Sequence, residues 1–448
     1  MSAWRASGPM AGDAAPALAA RLVAERFGRS GGDLLIGGIA ARELAARFGT
    51  PLFAYDAAII RDACRALAAA LEGFAAIHYS IKANPNPAVA RVLVGEGAGL
   101  EIASAGEFRA ALAAGADPAR ILFAGPGKRR VELEQVIAGG IGEIHLESRE
   151  EIAHVEAIGA AAGRRIAVAV RVNPVAEAQG GAMRMGGKAA PFGFDEEDID
   201  AVVDRVAASP HLDLAGVHLF AGTQILDAAV LLGQWRHGLV LAGRLAARLG
   251  RPLRTVDLGG GLGIPYFAGD GELDLAAIRG GLPELAALRA ADPLIRDARI
   301  VVEPGRYLVG PAGVYLASVL AAKVSRGQRF LVTDGGMHHH LAASGNLGQV
   351  IKRDYPVVAA SRMDAAPVGP ASVVGPLCTP LDTLARKVDL PDLQAGDLVA
   401  VLQSGAYGPT ASPAGFLSHP APAEVLVDDG EARLIDGAFS SEVGTGSR

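Results

Sequence analysis

The sequence predicts an α/β chain that forms a (β/α)8 barrel and carries a second, mainly antiparallel β-domain. Between about residues 58 and 310, short β-branched or apolar runs alternate with Ala/Leu-rich stretches of helical periodicity. After about residue 310 the runs remain β-like, but the helical stretches between them disappear. Many of the first set of runs end in charged, polar or glycine residues, as strands do at the mouth of such a barrel.

The elements are expected in a fixed order along the chain. Residues 1–30 are predicted to be loosely ordered, and residues 31–57 are predicted to give strands and a helix to the β-domain. Residues 58–310 are predicted to form the barrel, and residues 311–448 the C-terminal β-domain. The runs that predict the barrel strands are AAIHYSIKAN, GLEIAS, ILFAGP, EIHLES, IAVAVRVNP, LAGVHLFAG, TVDLGGG and ARIVVEPGR.

Composition narrows the classes of function. The chain has 448 residues, half of them hydrophobic, which is enough for a large core and two domains. A net charge of −6 without a long basic block argues against nucleic acid as a partner. No apolar run reaches the roughly 18 residues of a membrane span, and the N-terminal stretch does not resemble a signal peptide. Two cysteines, Cys64 and Cys378, cannot build a disulfide framework, so we expect a cytoplasmic protein without a membrane partner.

Lys82 is the first candidate for chemistry. It ends the run AAIHYSIKAN, immediately before Asn84 and two prolines. A lysine in a barrel mouth can lose its charge through desolvation and form an imine with an aldehyde. The alternative is a strand end whose charge is solvated or ion-paired, and Lys82 alone leaves both open.

Two further runs carry groups that would complete a cofactor site. DLGGGLGIP ends the seventh strand, and its Gly259, Gly260 and Gly261 would let a phosphate approach backbone N–H groups closely. VEPGRYLVG ends the eighth strand and carries Glu303, a carboxylate that can pair with a protonated pyridine nitrogen. A reactive lysine, a phosphate cradle and an opposing carboxylate are the requirements of pyridoxal phosphate. The alternative for the glycines is an ordinary turn in a glycine-rich protein.

Seven motifs occur in one order along the chain: HYSIKANPNPAV, GLEIASAGEF, FAGPGK, DLGGGLG, EPGRYLVG, VVGPLC and SGAYG. Over residues 45–430 the chain therefore resembles the fold-type III pyridoxal-phosphate decarboxylases, which include the diaminopimelate, ornithine and arginine decarboxylases. The resemblance implies a TIM barrel with a β-domain, pyridoxal 5'-phosphate as cofactor and decarboxylation of an amino acid. It also implies a homodimer whose active sites are shared between the subunits.

The resemblance also assigns roles to residues. Lys82 would carry the cofactor, Glu303 would keep the ring nitrogen protonated, and Cys378 would act as general acid toward the α-carbon of the substrate. The remaining cofactor contacts are expected at Glu101, Arg171, His218, Phe220, Thr223, Gly259, Gly260, Gly261, Gly305, Arg306 and Tyr407. The substrate contacts are expected at Arg306, Asp334, Cys378, Thr379 and Tyr407, with Asp334 and Cys378 reaching the site from the partner subunit.

Two positions depart from the pattern of the family. Phe220 replaces the histidine that stacks on the cofactor ring in the ornithine and diaminopimelate enzymes, while His218 lies two residues earlier on the same strand face. Thr379 replaces the acidic residue that follows the catalytic cysteine and binds the distal ammonium of the substrate. A buried ammonium without a carboxylate costs several kcal/mol, so free diamino acids fit poorly unless Asp382 substitutes.

The departures resemble a subgroup that acts on amino acids tethered to acyl carrier proteins, such as L-glutamyl-carrier-protein decarboxylase, and decarboxylase-like proteins of exosortase systems. Carrier proteins are acidic, so a basic docking site is expected. Arg184, Lys188, Lys128, Arg129 and Arg130 are candidates on loops of the mouth face. The alternative is that these are ordinary solvated charges.

Other functions remain open at this stage. The substrate could be free diaminopimelate or another basic amino acid. An amino-acid racemase is a rival, although that family places an arginine, not a carboxylate such as Glu303, against the pyridine nitrogen. A non-catalytic relative that binds the cofactor is a third possibility. The run His338–His340 does not predict a metal site, because three consecutive residues cannot all face one ion from regular structure, and a role at the subunit interface is the more plausible one.

Overall fold

The computed structural model describes residues 15–175, 183–184, 189–220, 222–349 and 352–435. These residues divide into two compact units. The barrel unit contains Ala57–Ile264 and Glu272–Pro311. The β-unit contains residues 15–56, Pro265–Gly271 and residues 312–435. Among the helices of the described ranges, none has the length and apolar character that a membrane crossing requires.

Eight parallel strands close the barrel, which confirms the TIM-barrel prediction. In chain order they are Ala76–Ser80, Gly99–Ile102, Ile121–Phe123, Glu143–Leu146, Ile166–Asn173, Leu212–Leu219, Thr255–Asp257 and Arg299–Val302. Each strand pairs in parallel with its neighbour, and the eighth returns to the first through Val301 opposite Ala76. Their side chains are almost all buried, as expected for a parallel sheet that is covered on both faces.

The helices of the barrel unit follow the strands in alternation. They are Ala57–Ala70, Pro87–Gly95, Ala105–Ala113, Arg130–Ala138, Arg149–Ala161, Ile199–Ala207, Ala228–Leu249, Leu275–Ala291 and the single turn Arg306–Val309, with 3-10 turns at Ile81–Ala83 and Pro118–Arg120. Short polar residues begin several of them. The hydroxyls of Ser104 and Ser148 accept hydrogen bonds from the third backbone N–H of their helices. These caps fix where the chain turns from the strand ends into the helices.

The β-unit is built around a nine-stranded, mainly antiparallel sheet. Its strands are Leu52–Asp56, Gly313–Ser325, Gln328–Thr333, Val357–Val358, Pro370–Val374, Thr383–Asp389, Leu398–Val401, Ala423–Asp428 and Glu431–Leu434. The strand Leu52–Asp56 lies between Gly313–Ser325, to which it is antiparallel, and Ala423–Asp428, to which it is parallel. The β-unit therefore takes a central strand from the chain that precedes the barrel.

Residues 15–56 add helices and a small sheet to this unit. The helices are Ala15–Leu22, Val23–Phe27 and Ala41–Phe48, and the strands are Arg29–Ser30, Asp33–Ile36 and Ile39–Ala40. The sequence predicts loose order for residues 1–30, but residues 15–27 are helical. The reason is packing, since Leu18, Leu22 and Val23 join the hydrophobic core of the β-unit. Residues 1–14 lie outside the described part of the chain.

Candidate active site

Lys82 lies at the C-terminal end of the first barrel strand. The strand Ala76–Ser80 passes directly into the 3-10 turn Ile81–Ala83, which carries the lysine. Its Nζ is 3.6 Å from Oε2 of Glu101, and 48% of its side chain is exposed to solvent. Burial raises the pKa of Glu101, while the neighbouring Lys82 opposes that rise. The amine is thus held beside a buried carboxyl yet remains open to the mouth.

Phe220 lies between two cations of the mouth. Lys82 Nζ is 6.0 Å and Arg171 Cζ 5.8 Å from the centroid of the Phe220 ring. Arg171 also forms a buried ion pair, with Nη1 2.7 Å from Oε1 of Glu147. Burial favours a raised pKa for Glu147, but the charges of Arg171 and Lys128 outweigh it and lower that pKa. An aromatic face and a fixed guanidinium therefore line the mouth beside the lysine.

Glu303, at the end of the eighth strand, belongs to a buried polar cluster inside the barrel. Its Oε2 is 3.3 Å from Nε2 of His218, and Nδ1 of His218 is 2.9 Å from Nδ1 of His145. Asp257 is completely buried nearby, and its Oδ1 accepts a hydrogen bond from the backbone N–H of Gly259. The side chains of Glu303 and Asp257 also share a hydrogen bond inside this cluster.

The two carboxyls of this cluster titrate in opposite directions. Burial raises the pKa of Asp257 well above its usual range, and the charge of Glu303 adds to the effect. Burial also favours a raised pKa for Glu303, but the adjacent His218 outweighs burial, and the pKa of Glu303 is lowered well below its usual range. Burial also lowers the pKa of His218 to about 4. Glu303 is therefore a carboxylate and His218 is neutral at neutral pH, while the raised pKa of Asp257 favours its protonated form.

This cluster also meets the geometric requirement for a metal site, which the sequence analysis did not anticipate. One ligand atom from each of His145, His218, Asp257 and Glu303 lies within 4.8 Å of the others. The Nδ1 atoms of the two imidazoles are 2.9 Å apart, a distance at which they hydrogen-bond to each other. We therefore describe the cluster as a hydrogen-bonding network.

The glycine turn after the seventh strand is shaped by close packing. A Cβ on Gly259 would lie 2.3 Å from the carbonyl oxygen of Leu219, and one on Gly260 would lie 2.3 Å from that of Glu303. Gly261 has φ +95°, a conformation that side chains disfavour. The glycines are therefore required by the barrel itself, and their predicted contact with a phosphate remains a prediction.

The other predicted phosphate residues lie on neighbouring loops of the barrel unit. Thr223 pairs with Met183 in a two-stranded antiparallel ribbon after the sixth strand. Gly305 follows Glu303 directly, and Arg306 begins the helical turn Arg306–Val309. The barrel unit thus brings together the ends of its first, second, fifth, sixth, seventh and eighth strands, as the sequence predicts.

Asp334 and Tyr407, two of the predicted substrate contacts, belong to the β-unit. Oδ2 of Asp334 accepts a hydrogen bond from the Thr50 hydroxyl at 2.5 Å, and its Oδ1 accepts one from the backbone N–H of Ser318 at 2.9 Å. Burial raises the pKa of Asp334. Tyr407 has φ +54°, a left-handed conformation that is uncommon for a bulky residue.

Cys378 and Thr379, two further predicted substrate contacts, lie on a loop of the β-unit that is held by the carboxylate of Asp382. Oδ1 of Asp382 accepts a hydrogen bond from the N–H of Met337 at 2.6 Å, and its Oδ2 accepts one from that of Leu377 at 2.9 Å. Only 2% of Asp382 is exposed, whereas Cys378 is exposed to solvent. Because both of its oxygens bind backbone, Asp382 is not available as the substitute partner for a substrate ammonium that the sequence left open.

The basic residues predicted to bind a carrier protein differ in their exposure to solvent. Lys128 is buried, and its Nζ pairs with Oε2 of Glu151 at 2.9 Å. It therefore fixes the fold and cannot meet a partner. Arg129 and Arg130 are exposed and pair with acidic residues of their own helix. Lys188 and the side chain of Arg184 lie outside the described residues.

The run His338–His340 is buried in the β-unit. Nε2 of His339 donates to the carbonyl oxygen of Pro420 at 2.9 Å, and Nε2 of His340 is 3.0 Å from the Ser404 hydroxyl. The His338 ring packs on that of His339, with centroids 3.7 Å apart. Among the described residues the run thus packs the interior of the unit, and a role at a subunit interface remains a prediction.

The comparison with protein families identifies the chain. The family described as pyridoxal-dependent decarboxylase, pyridoxal binding domain, matches residues 57–310, more than half of the chain. The chain belongs to the pyridoxal-dependent decarboxylases. A pyridoxal-dependent decarboxylase is an amino-acid carboxy-lyase with pyridoxal phosphate as cofactor, as the sequence analysis expected.

Relatives of known activity cover almost the whole decarboxylase. It is 38% identical over 401 residues to the L-glutamyl-[BtrI acyl-carrier protein] decarboxylase of Niallia circulans, covering 88% of this chain and 92% of the relative. It is 31% identical over 421 residues to the diaminopimelate decarboxylase of Zymomonas mobilis, covering 91% and 95%. The crystal structure of Helicobacter pylori diaminopimelate decarboxylase with L-lysine is similar with a TM-score of 0.79 and 30% identity, covering 88% and 96%.

The residues of the decarboxylase fit the cofactor. The buried carboxylate of Glu303 keeps lone pairs beyond its contacts with His218 and Asp257, and a protonated pyridine N–H is a donor of the right kind. The Phe220 ring offers an apolar face, and Lys82 offers an accessible amine beside it. Lysine, ring face and carboxylate all come from the C-terminal ends of the barrel strands, where ligands of this fold bind.

Sequence reasoning does not identify the roles of two residues, one in each unit. His145 lies in the middle of the run EIHLES, which predicts only a strand, and Asp382 is predicted only as a possible substrate ligand. The spacing of Glu143, His145 and Glu147 was a usable signal, because residues two apart on a strand face the same side. Three polar side chains on one face of a buried strand indicate a network inside the barrel.

Proposed function

We propose that this decarboxylase acts on an amino acid held as an aminoacyl thioester, such as an L-glutamyl group, on an acyl carrier protein, and releases CO2 to leave the tethered amine. The observation that carries the proposal is the loop of Cys378. The residue after the cysteine is the uncharged Thr379, and both oxygens of Asp382 are bound to backbone N–H groups. A thioester presents no distal ammonium, so it leaves no buried charge unpaired.

The barrel residues would hold the cofactor in a defined orientation. Bound pyridoxal phosphate supplies the electron sink, because its protonated ring takes up the electron pair left when the α-carboxylate departs as CO2. Lys82 would bind it covalently, with Glu101 orienting the amine from 3.6 Å. Phe220 would cover one face of the ring, and Arg171 would lie beside it. The glycine turn 259–261, Thr223, Gly305, Arg306 and Tyr407 would surround the phosphate.

Glu303 would keep the ring nitrogen protonated. Its pKa is lowered within a completely buried site, so it is a carboxylate at neutral pH. A buried carboxylate stabilises a facing N–H through a charge-assisted hydrogen bond. This favours decarboxylation over racemisation, because a charged ring accepts the electron pair more readily.

Cys378 would complete the reaction as general acid. Its exposed thiol would donate the proton that replaces the departed carboxylate on the α-carbon. Cys64, the other cysteine, cannot serve, because it is buried and burial raises the pKa of its thiol to about 11. Asp334 and Arg306 would contact the substrate beside the cysteine.

We propose further that the enzyme is a homodimer in which Cys378 and Asp334 serve the site of the partner subunit. Mixing Lys82→Ala subunits with Cys378→Ala subunits tests this arrangement. Neither variant alone should form the amine cleanly, and shared sites should restore clean amine formation in the mixture, because one hybrid site would contain both intact residues. A mixture that does not recover clean amine formation while the two chains exchange subunits would show that the sites are not shared.

The substrate is tested by measuring CO2 release. Glutamyl and related aminoacyl carrier proteins should react faster than free diaminopimelate, lysine, ornithine or arginine. A small thioester of the same amino acid serves as the matched control, and it should react more slowly than the carrier-bound form. Rapid release from a free diamino acid with none from any thioester would overturn the proposal.

The second candidate is decarboxylation of free diaminopimelate or another basic amino acid. It is supported by the diaminopimelate decarboxylase of Bacillus subtilis, which is 33% identical over 423 residues. The uncharged Thr379 weighs against it, because the distal ammonium would then need a partner that the described part of the Cys378 loop does not supply.

A further inference from the structure

The hydrogen bond between two buried histidines carries an inference beyond the proposed roles. His145 and His218 lie on the fourth and sixth barrel strands, and both are at most 1% exposed. Their Nδ1 atoms are 2.9 Å apart. A hydrogen bond between two imidazole nitrogens requires one to carry a proton and the other to offer a lone pair. The pair therefore fixes a tautomer on each ring.

The carboxylate beyond His218 decides which ring is the donor. Oε2 of Glu303 is 3.3 Å from Nε2 of His218, a distance at which a nitrogen lone pair would be repelled by the negative charge. The single proton of neutral His218 is therefore stable on Nε2, facing Glu303. Nδ1 of His218 is then the acceptor, and Nδ1 of His145 must be the donor.

The far side of His145 faces a second buried carboxyl. Its Nε2 is 3.2 Å from Oε1 of Glu143, but neither atom has a hydrogen-bond partner among the described residues. Nδ1 is therefore the nitrogen of His145 that takes part in a hydrogen bond. The other charged or titratable groups near the pair are Asp257, whose Oδ2 is 4.0 Å from Nδ1 of His145, and Arg171, Glu147 and His78.

We propose that His145 is a positioning residue that fixes His218 as the Nε2–H tautomer and thereby holds Glu303 as the carboxylate that faces the ring nitrogen of the cofactor. The inference rests on the role proposed above for Glu303. The contact between His218 and Glu303 is close but is not an aligned hydrogen bond. If the proton of His218 moved from Nε2 to Nδ1, the lone pair of Nε2 would face the Glu303 carboxylate. The repulsion would then favour protonation of Glu303.

Two substitutions at His145 separate proton donation from packing. Asparagine places an amide N–H near the position of Nδ1, whereas leucine has a similar size and no donor. His145→Leu should weaken binding of pyridoxal phosphate to the apoenzyme roughly 10- to 100-fold, the effect of losing a hydrogen bond that supports a charge. His145→Asn should bind nearly as the wild type does. Fluorescence titration of the apoenzyme measures the affinity.

A spectroscopic readout tests the proton order directly. The ring nitrogen of bound 15N-labelled pyridoxal phosphate has different resonances in its protonated and neutral forms. The wild type and His145→Asn should show the protonated form, and His145→Leu should shift toward the neutral one. His340→Leu is the control, since His340 is a completely buried histidine of the β-unit and should leave the resonance unchanged.

Several results would overturn the inference. An unchanged affinity and resonance in His145→Leu would do so, and so would equal losses in the asparagine and leucine variants. If His145→Leu does not fold, as judged by circular dichroism, His145→Gln takes its place, because glutamine puts its amide near Nε2 rather than Nδ1. The variant Glu303→Gln separates the role proposed for Glu303 from the role proposed for His145. If it leaves the resonance protonated, the role proposed for Glu303 fails. If it shifts the resonance while His145→Leu does not, only the role of His145 fails.

Discussion

Replacing Asp382 by asparagine tests how the loop that carries Cys378 is held. The carboxylate accepts backbone hydrogen bonds from Met337 at 2.6 Å and Leu377 at 2.9 Å, and it is almost fully buried. Asparagine retains one acceptor oxygen and turns an NH2 group toward the other backbone N–H. One charge-assisted bond is then lost, and a buried donor is left without a partner.

The magnitude follows from these two contacts. Losing a hydrogen bond to a charged group and leaving its donor unpaired costs about 1.5–3 kcal/mol. We therefore expect Asp382→Asn to lower the free energy of unfolding by about 2 kcal/mol, measured by denaturant titration. Turnover should fall as well, while the absorbance of the bound cofactor persists, because the freed loop no longer positions the Cys378 thiol.

Thiol labelling gives a second measurement of the same loop. Cys64 is buried, so a small alkylating reagent reports on Cys378 in the folded protein. Asp382→Asn should change the alkylation rate of Cys378, and the exposed Asp389→Asn should not. The reasoning is refuted if both variants match the wild type in unfolding free energy and labelling rate.

Four further outcomes are expected. Lys82→Ala should abolish the absorbance band near roughly 420 nm that a lysine-linked cofactor gives, and persistence of that band in the folded variant would contradict the role of the lysine. Cys378→Ala should keep the cofactor and lose clean amine formation, and unchanged product would exclude the thiol as general acid. Thr379→Asp should increase CO2 release from free lysine or ornithine, whereas no gain with any diamino acid would place the distal contact elsewhere. Burial lowers the pKa of His340 to about 3, so neutral His340 stabilises the fold fully above pH 6.5, and this stabilisation is lost as the pH falls toward 3. The variant His340→Gln can still bond to Ser404 but does not titrate, so its free energy of unfolding should fall by about 2 kcal/mol less than that of the wild type between pH 7 and 5. An identical pH dependence in the two proteins would rule this out.

The barrel could be predicted because its strands are separated by helices of clear periodicity. The ends of these runs also indicated the mouth, since Lys82, Glu101, Arg171 and Glu303 all follow or end strands. In a closed parallel barrel, all such ends lie on one side. The position of these residues at the ends of predicted strands was therefore enough to identify them as candidates for one site.

Residues whose role depends on contacts distant in sequence could not be predicted in the same way. His145 meets His218 across 73 positions of the chain, and Asp382 meets Met337 across 45. Neither pairing leaves a periodic signal. Lysine is rarely buried, so the sequence predicts Lys128 on a loop surface, but its pairing with Glu151 compensates for its burial.

The position of Leu52–Asp56 in the β-unit has a consequence for synthesis of the protein. This strand is made before the barrel, yet both of its neighbours, Gly313–Ser325 and Ala423–Asp428, are made after it. Throughout translation of residues 57–311, its backbone N–H and C=O groups on both edges have no native strand to pair with. Such an apolar strand is a template for wrong pairing between nascent chains. We expect ribosome-bound chains that stop before Ala423 to associate with chaperones more than chains that extend past Leu434 do.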